Sequence, residues 1–217
     1  MDRLISIIGP AIPQTLIMVF ASTFIAIVLG LPLGVILTIT RKDGLCQNLK
    51  IYSVLDKIIN ILRSFPFIIL VIVVFPLSRI LVGKAYGTAA MIIPLSISAA
   101  PFVARLMEGY FNQIDKGIIE AAKSVGSTNM QIITRVLIPE AMPMIVNGIT
   151  MTLINVVGYS AMAGAIGGGG LGDIAIRYGY QMRDEVILWS TVVLIILIVQ
   201  IVQVIGNRIE KEIDRRF

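Results

Sequence analysis

The sequence of 217 residues contains no histidine and only one cysteine, Cys46. It therefore has almost no means of building a zinc site, histidine-based acid–base chemistry or a disulfide, and no metal or cofactor is expected. Charged residues are also scarce, at 14% of the chain, against about 25% in soluble domains. With 57% hydrophobic residues and a mean hydropathy of +0.92, the chain could not hide its apolar surface from water. These features predict a membrane protein.

The net charge of +5 could indicate nucleic-acid binding in a soluble protein. Here the cations lie between apolar runs, so contact with the membrane surface explains them better, and no nucleic-acid partner is expected.

Five stretches approach the roughly 20 apolar residues that a helix needs to cross about 30 Å of hydrocarbon. The second, residues 64–78, has only 15 residues and contains Pro66 and Pro76. Its helix is therefore expected to begin before Arg63 and to carry Arg63 into or against the protein interior. We predict an all-α membrane protein with five transmembrane helices, the others at about 15–39, 85–104, 141–172 and 186–207.

An odd number of spans places the termini on opposite sides of the membrane. If the N-terminus is outside, 13 Lys and Arg residues lie inside and 5 outside, so the positive-inside rule favours an outer N-terminus and a cytoplasmic C-terminus. Cys46 would then lie in a reducing cytoplasmic loop. The inner cations are Arg41, Lys42, Lys50, Lys57, Arg63, Arg105, Lys116, Lys123, Arg135, Arg208, Lys211, Arg215 and Arg216.

The longest cytoplasmic connection, at about 112–139, is not composed like a flexible linker. Apolar residues recur at helical spacing over 114–125, Gly126 is a plausible helix stop, and 128–131 has the form of a capping box that opens a second helix. Pro139 marks the point where the chain turns back towards the membrane. The pattern predicts a projecting helix–turn–helix unit, and periodicity alone is equally compatible with two helices lying on lipid.

The same unit carries a spaced motif: Glu-Ala-Ala at 120–122, three residues, Gly126, nine residues, and Val-Leu-Ile-Pro at 136–139. It resembles the EAA loop of permease subunits in ATP-binding-cassette (ABC) importers, with conservative departures at Val136 and Ile138. In that family the loop docks in a cleft of the ATPase subunit. The resemblance therefore implies an ATPase-coupling role for Glu120, Ala121, Ala122, Gly126, Val136, Ile138 and Pro139.

The string at 63–67 is similar to an R-S-x-P-F stretch at the start of an early core helix in these permeases. More narrowly, the strings at 99–105, 158–172 and 177–180 resemble the methionine-importer permeases of this class. The resemblance implies a type I ABC importer permease fold, one transmembrane domain over residues 1–217, and a place in the bacterial inner membrane. It further implies a homodimer with two ATPase subunits, a substrate-binding lipoprotein, and transport of L- and D-methionine. No G-x-x-x-x-G-K-[ST] motif is present, so ATP hydrolysis is assigned to the partner and the chain is not expected to be an enzyme.

Gly167, Gly169 and Gly172 formally match G-x-G-x-x-G. A dinucleotide site needs that motif after a strand in a βαβ unit, whereas this one follows an apolar span. A flexible outer turn, hinge or close-packing point is the better interpretation.

The fourth predicted span is the most polar. Asn147, Met151, Asn155, Tyr159 and Met162 share one helical face, which should meet protein or a water-filled path rather than lipid. Helix–helix hydrogen bonding and a translocation path are equally compatible with this face. The candidate path or gate residues are Asn147, Met151, Asn155, Tyr159, Ser160 and Met162.

Other functions fit less well. An intramembrane enzyme would need acidic or histidine groups that the spans lack, and a secondary transporter would need inverted repeats with ionisable coupling residues. A channel or scaffold would not explain the EAA-like loop, and a permease for another amino acid or an organic osmolyte is the main alternative. Arg63 and Arg105 are expected to snorkel or to pair with Asp56, Glu108 or Glu140 rather than to contact substrate.

Overall fold

The computed structural model describes residues 2–214, and Arg215 and Arg216, two of the predicted inner cations, lie outside the described residues. Six helices of 16 to 30 residues dominate the described chain. Wide π-helical turns at Ile133–Leu137 and Ala175–Gln181 and a kink at Gly164–Gly168 link some of the shorter helices. The helices are α1 (Asp2–Ile8), α2 (Ala11–Thr40), α3 (Leu49–Ser64), α4 (Phe67–Val82), α5 (Thr88–Phe111), α6 (Lys116–Ser124), α7 (Asn129–Ile132), α8 (Ile138–Glu140), α9 (Met142–Ala163), α10 (Gly170–Ile174) and α11 (Glu185–Ile213).

Four described segments are individually long and apolar enough to cross a membrane: Arg3–Thr40, Thr88–Phe111, Met142–Gly168 and Glu185–Ile213. A fifth span exists if α3 and α4 count as one, but these helices meet at an angle of 108°. The prediction of an all-helical membrane protein is confirmed. The described chain has four candidate spans, or five if α3 and α4 together form one.

The expectation that one helix runs through Arg63 is wrong. Phe65 takes an extended conformation (φ −70°, ψ 127°) before Pro66, because the proline ring disfavours helical geometry in the residue that precedes it. α3 therefore ends at Ser64, and Arg63 is exposed on its last turn rather than directed into the interior.

The core is built on close packing of α2 against α5. A Cβ added to Gly30 would lie 2.6 Å from the Ala100 carbonyl oxygen, and one added to Gly34 would lie 2.5 Å from the Met107 Cβ. The two backbones can approach this closely only because glycine has no side chain. Buried residues of α4, α5 and α9 complete the main apolar cluster around this pair.

The last helix packs on α9 through one tight contact. A Cβ on Gly206 would overlap the Thr150 hydroxyl. Half of the apolar residues of α11, including Trp189 and Ile196, are exposed, as expected for a helix with lipid or another subunit beside it.

Candidate coupling surface and translocation path

The predicted helix–turn–helix unit is formed by α6 to α8. The Asp115 side chain caps α6 by accepting a 2.8 Å hydrogen bond from the Gly117 N–H, and Gly126 follows α6 with φ +81°. Thr128 and Gln131 form the predicted reciprocal capping box at the start of α7. These local predictions are confirmed.

The second helix of the unit differs from the prediction in one detail. It widens into the π turn at Ile133–Leu137 before Pro139. The cause is that proline has no N–H to donate and its ring would clash with the preceding turn of a regular α-helix. Pro139 itself lies inside α8, and Ala141 (φ −83°, ψ −4°) is the single residue between α8 and α9.

The EAA-like residues lie on the accessible side of this unit. Glu120, Ala121, Gly126 and Pro139 are exposed, while Ala122, Val136 and Ile138 are half-buried. No atom lies within 4 Å of a Cβ added to Gly126, so the turn projects freely.

Two further residues of this surface were missed by the sequence analysis. Val125 and Met130 are 82% and 68% exposed, although the apolar spacing suggested that Val125 belongs to a packed face. Exposed apolar side chains beside an exposed carboxylate are suited to docking another protein.

Buried contacts and one hydrogen bond attach this unit to the rest of the chain. Ile114 and Leu137 are buried in the main core, and the Asn129 side-chain amide donates a 3.2 Å hydrogen bond to the Cys46 Sγ. This contact places the loop between α2 and α3 on the same side of the molecule as α6 and α7.

The predicted polar face of α9 divides into an open part and a protein-facing part. Met151 and Met162 are 49% and 47% exposed, and Asn155 lies between them and is exposed as well. Residues 151, 155 and 162 therefore form an open stripe along α9, which the rest of the described chain covers only in part.

The other three candidates of α9 have partners within the chain. The Asn147 amide donates a 2.9 Å hydrogen bond to Glu210 Oε2 of α11. Tyr159 stacks on Phe67, with ring centroids 4.9 Å apart and an interplanar angle of 12°, and the buried Ser160 hydroxyl donates to the Val157 carbonyl oxygen at 2.7 Å. The structure thus separates these three from the open stripe.

The C-terminal end of α9 is closely packed. A Cβ on Gly164 would overlap the Asp173 backbone nitrogen, and one on Gly172 would overlap the Ala161 carbonyl oxygen. Gly167, Gly169 and Gly170 all have positive φ. Of the interpretations of this glycine-rich segment, the structure favours the close-packing point.

Side chains of α2 fix the same segment at the start of α10. Gln14 Oε1 accepts a 2.8 Å hydrogen bond from the Gly170 N–H, and Thr15 Oγ1 accepts one of 2.8 Å from the Leu171 N–H. These amides begin α10 and have no partner within that helix. The pairs are 156 residues apart in sequence, so no local pattern could have revealed them.

A charged cluster joins α3 to α5. The Arg105 guanidinium contacts Asp56 Oδ1 and Glu108 Oε2, each at 2.6 Å, and donates to Asn60 Oδ1 at 3.0 Å. Tyr52 donates to Glu108 Oε1 at 3.2 Å. The predicted pairing of Arg105 with Asp56 and Glu108 is confirmed.

Comparisons with known proteins agree with this architecture. The family described as "Binding-protein-dependent transport system inner membrane component" matches residues 30–217. A probable D-methionine transport system permease protein of Vibrio cholerae is 49% identical over 203 residues, which cover 94% of this chain and 90% of that protein. The methionine import system permease protein of Bacillus subtilis is 45% identical over 181 residues, covering 83% and 82% of the two chains.

Solved structures show the same fold. A chain of the MetNI methionine ABC transporter in an inward-facing conformation superposes with a TM-score of 0.97 at 42% identity, covering 99% of this chain and all of that one. An amino acid ABC transporter chain at 20% identity has a TM-score of 0.74 and supports the fold alone.

The chain therefore belongs to the family of binding-protein-dependent transport system inner-membrane components. The resemblance drawn from the EAA-like loop and the longer strings is confirmed, as is the expectation of a multi-pass inner-membrane protein with an ABC importer permease fold.

Proposed function

We propose that this chain is the permease subunit of an ABC importer for methionine, driven by ATP hydrolysis in separate subunits. The observation that supports this most is the TM-score of 0.97 and 42% identity to a methionine ABC transporter chain over 99% of the sequence. The permeases of Vibrio cholerae and Bacillus subtilis, both named for methionine transport, agree with it.

Residues 1–217 would act as one permease domain whose coupling loop, at about 112–139, docks on an ATPase subunit. The exposure of Glu120, Ala121 and Gly126 supports this role, since a docking residue must be accessible. Val136, Ile138 and Pro139 would support the loop from behind, and Ala122, small and half-buried, would allow close approach.

The open stripe of α9 would line the translocation path, with a second copy supplying the facing wall. Met151, Asn155 and Met162 would contact the substrate weakly, because tight binding would delay its release. Asn147 and Tyr159 would border the path through their bonds to Glu210 and Phe67, and Ser160 would pack behind it.

An outer N-terminus and a cytoplasmic C-terminus complete the proposal. The Cys46–Asn129 contact supports it, because the cation-rich loop after α2 and the coupling loop lie on one side. In sealed vesicles, an impermeant thiol reagent should label Cys46 from the cytoplasmic side only. In a Cys46→Ser, Gln181→Cys variant it should label from the outer side only, and the opposite pattern would reverse the orientation.

The decisive functional experiment is uptake of labelled L- and D-methionine by cells with and without this gene. Methionine uptake should be lost with the gene and should not be reduced by excess of another amino acid or an organic osmolyte. Copurification of an ATPase subunit with the chain distinguishes an ABC permease from a secondary transporter. Unchanged methionine uptake, or competition by a different solute, would favour the alternative substrates.

A further inference from the structure

Helix α3 presents three different sides. Tyr52, Leu55 and Ile59 face α2 and α5 and pack with Leu37 and Ala104. A second side carries an exposed apolar row, at spacings of three and four residues: Ile51, Val54, Ile58 and Ile61.

The third side is polar. Lys50 and Lys57 are exposed, and on a helical wheel both border the apolar row. Neither takes part in an ion pair within residues 2–214. A helix with an apolar face bordered by lysines is typical of a segment at the boundary between lipid tails and headgroups.

An apolar groove of about 440 Å³ lies beside the apolar row, between α2, α3 and α5. Ile58 belongs to both the row and the groove. Val28 and Leu33 of α2, Leu62 of α3 and Pro101 of α5 also line the groove.

The depth of the groove fits a lipid tail. At 1.5 Å per residue, Leu33 and Val28 lie about 10 and 18 Å along α2 from its end at Thr40, and half of the hydrocarbon layer is about 15 Å thick. The start of α3 lies level with that end, since the Asn48 N–H donates to the Thr40 carbonyl oxygen at 2.9 Å. With the end of α2 taken as the membrane boundary, Lys50 is at headgroup depth and the groove lies below it. Lys57, seven residues or about 10 Å farther along α3, would reach the same headgroup by extending its side chain towards the boundary.

The charged cluster keeps this arrangement in place. Arg105 holds Asp56 at 2.6 Å, which fixes the rotation of α3 about its own axis. Helix α3 carries three cations, Lys50, Lys57 and Arg63, against one carboxylate, Asp56, so it keeps a net positive charge.

We propose that α3 and the groove hold an anionic phospholipid of the leaflet on the coupling-loop side. One acyl chain would occupy the groove against Ile58 and Leu62, and Lys50 and Lys57 would bind the phosphate-bearing headgroup. The site lies on the outer surface of α2, α3 and α5 and is separate from the open stripe of α9, so it does not depend on the transported substrate.

Quenching of tryptophan fluorescence by brominated lipids tests the proposal. The only natural tryptophan, Trp189, is replaced by phenylalanine, and Ile58→Trp is introduced into the chain assembled with its ATPase subunits. Tryptophan fluorescence from the ATPase subunits is measured in a complex whose permease carries Trp189→Phe alone, and this signal is subtracted. The matched control is Ile196→Trp, on an exposed apolar part of α11 that has no charge between residues 186 and 207.

At position 58, brominated phosphatidylglycerol should bind about five-fold or more tightly than brominated phosphatidylcholine, since each lysine near a membrane surface contributes about that factor. The ratio of the affinities for the two brominated lipids should be near one at position 196. At position 58 it should fall towards one in the Lys50→Gln, Lys57→Gln variant. If Ile58→Trp does not assemble, Ile61→Trp, on the same row, serves instead.

Three results would overturn the proposal. Equal lipid preference at positions 58 and 196 would show no selective site. A preference that survives loss of both lysines would remove their role, and absence of quenching by either lipid would mean that protein, such as a second copy, covers the row.

Discussion

Met162 lies at the C-terminal end of the open stripe, two residues before the tightly packed Gly164. We expect Met162→Trp to lower methionine uptake several-fold while ATPase assembly stays normal, because a bulky side chain would block a narrow path between two copies. Met162→Leu should be mild, since it nearly keeps the volume. Uptake into vesicles measures both, and Ile196→Trp on α11 is the control for a bulky residue elsewhere.

The same residue can be tested without a change of bulk. In a Cys46→Ser background, Met162→Cys should react with a small thiol reagent to an extent that depends on nucleotide state. A cysteine that never reacts, together with full transport by Met162→Trp, would place Met162 in ordinary helix packing.

Arg105 neutralises a buried carboxylate. Glu108 is only 5% exposed, so Arg105→Met should cost about 3 kcal/mol or more by leaving its charge unpaired. The Arg105→Met, Glu108→Leu double variant should recover most of that loss, since no buried charge remains. Thermal unfolding of the purified complex measures the difference, and a double variant as unstable as the single one would contradict the electrostatic cause.

At the scale of elements, Gly126 should be required for its backbone conformation and not for space. Its φ is +81° and no atom would contact a Cβ, so Gly126→Val should cost about 1–2 kcal/mol or more locally, while Gly126→Asn should be tolerated. Gly109, which also has open space around it but lies within α5, is the matched control, and Gly109→Ala should be neutral.

The coupling role predicts more than a stability change. Gly126→Val and Glu120→Lys should both reduce copurification of the ATPase subunit and ATP-driven uptake, with membrane insertion unchanged. Normal ATP-driven uptake by both variants would remove the coupling role from this loop.

The caps that α2 provides for α10 should have unequal effects. Thr15 is buried and Gln14 is exposed, so water can replace the Gln14 acceptor but not the Thr15 acceptor. Thr15→Val should therefore cost about 1–3 kcal/mol and speed hydrogen exchange at Leu171, while Gln14→Leu should do less and Gln14→Glu almost nothing. Unchanged exchange at Leu171 in Thr15→Val would contradict this account.

These elements show which parts of the structure the sequence could predict. The Thr128–Gln131 box and the Gly126 stop depend on residues within one helical turn, and both were predicted correctly. The break at Pro66 was missed because the length of the apolar run was weighed above the local effect of proline. The contacts of Gln14 and Thr15 with α10 join residues 156 positions apart, and only tertiary packing brings them together.

The candidate path was predictable only in part, for a related reason. A helical wheel placed Asn147, Tyr159 and Met162 on one side of α9, but a wheel does not show what the neighbouring helices offer. Glu210 of α11 and Phe67 of α4 engage Asn147 and Tyr159, and neither partner has a sequence pattern that identifies it. Exposure in the folded chain then separated Met162 from the other two.

At the scale of the whole molecule, one copy leaves the candidate path residues of α9 open on one side. The stripe at Met151, Asn155 and Met162 has no facing wall within the described residues, so a two-fold partner presenting the same stripe would enclose a path, as closed symmetry requires of a self-complementary surface. We therefore expect two copies of this chain with two ATPase subunits, measured by native mass spectrometry of the purified complex. In a Cys46→Ser background, Asn155→Cys or Met162→Cys should form a disulfide between the two copies on oxidation, whereas Ile196→Cys on α11 should not. The symmetric arrangement would be contradicted by a complex with one copy of the chain per two ATPase subunits and no second permease. Cross-linking only through position 196 would place the interface on α11 and leave the α9 stripe to another role.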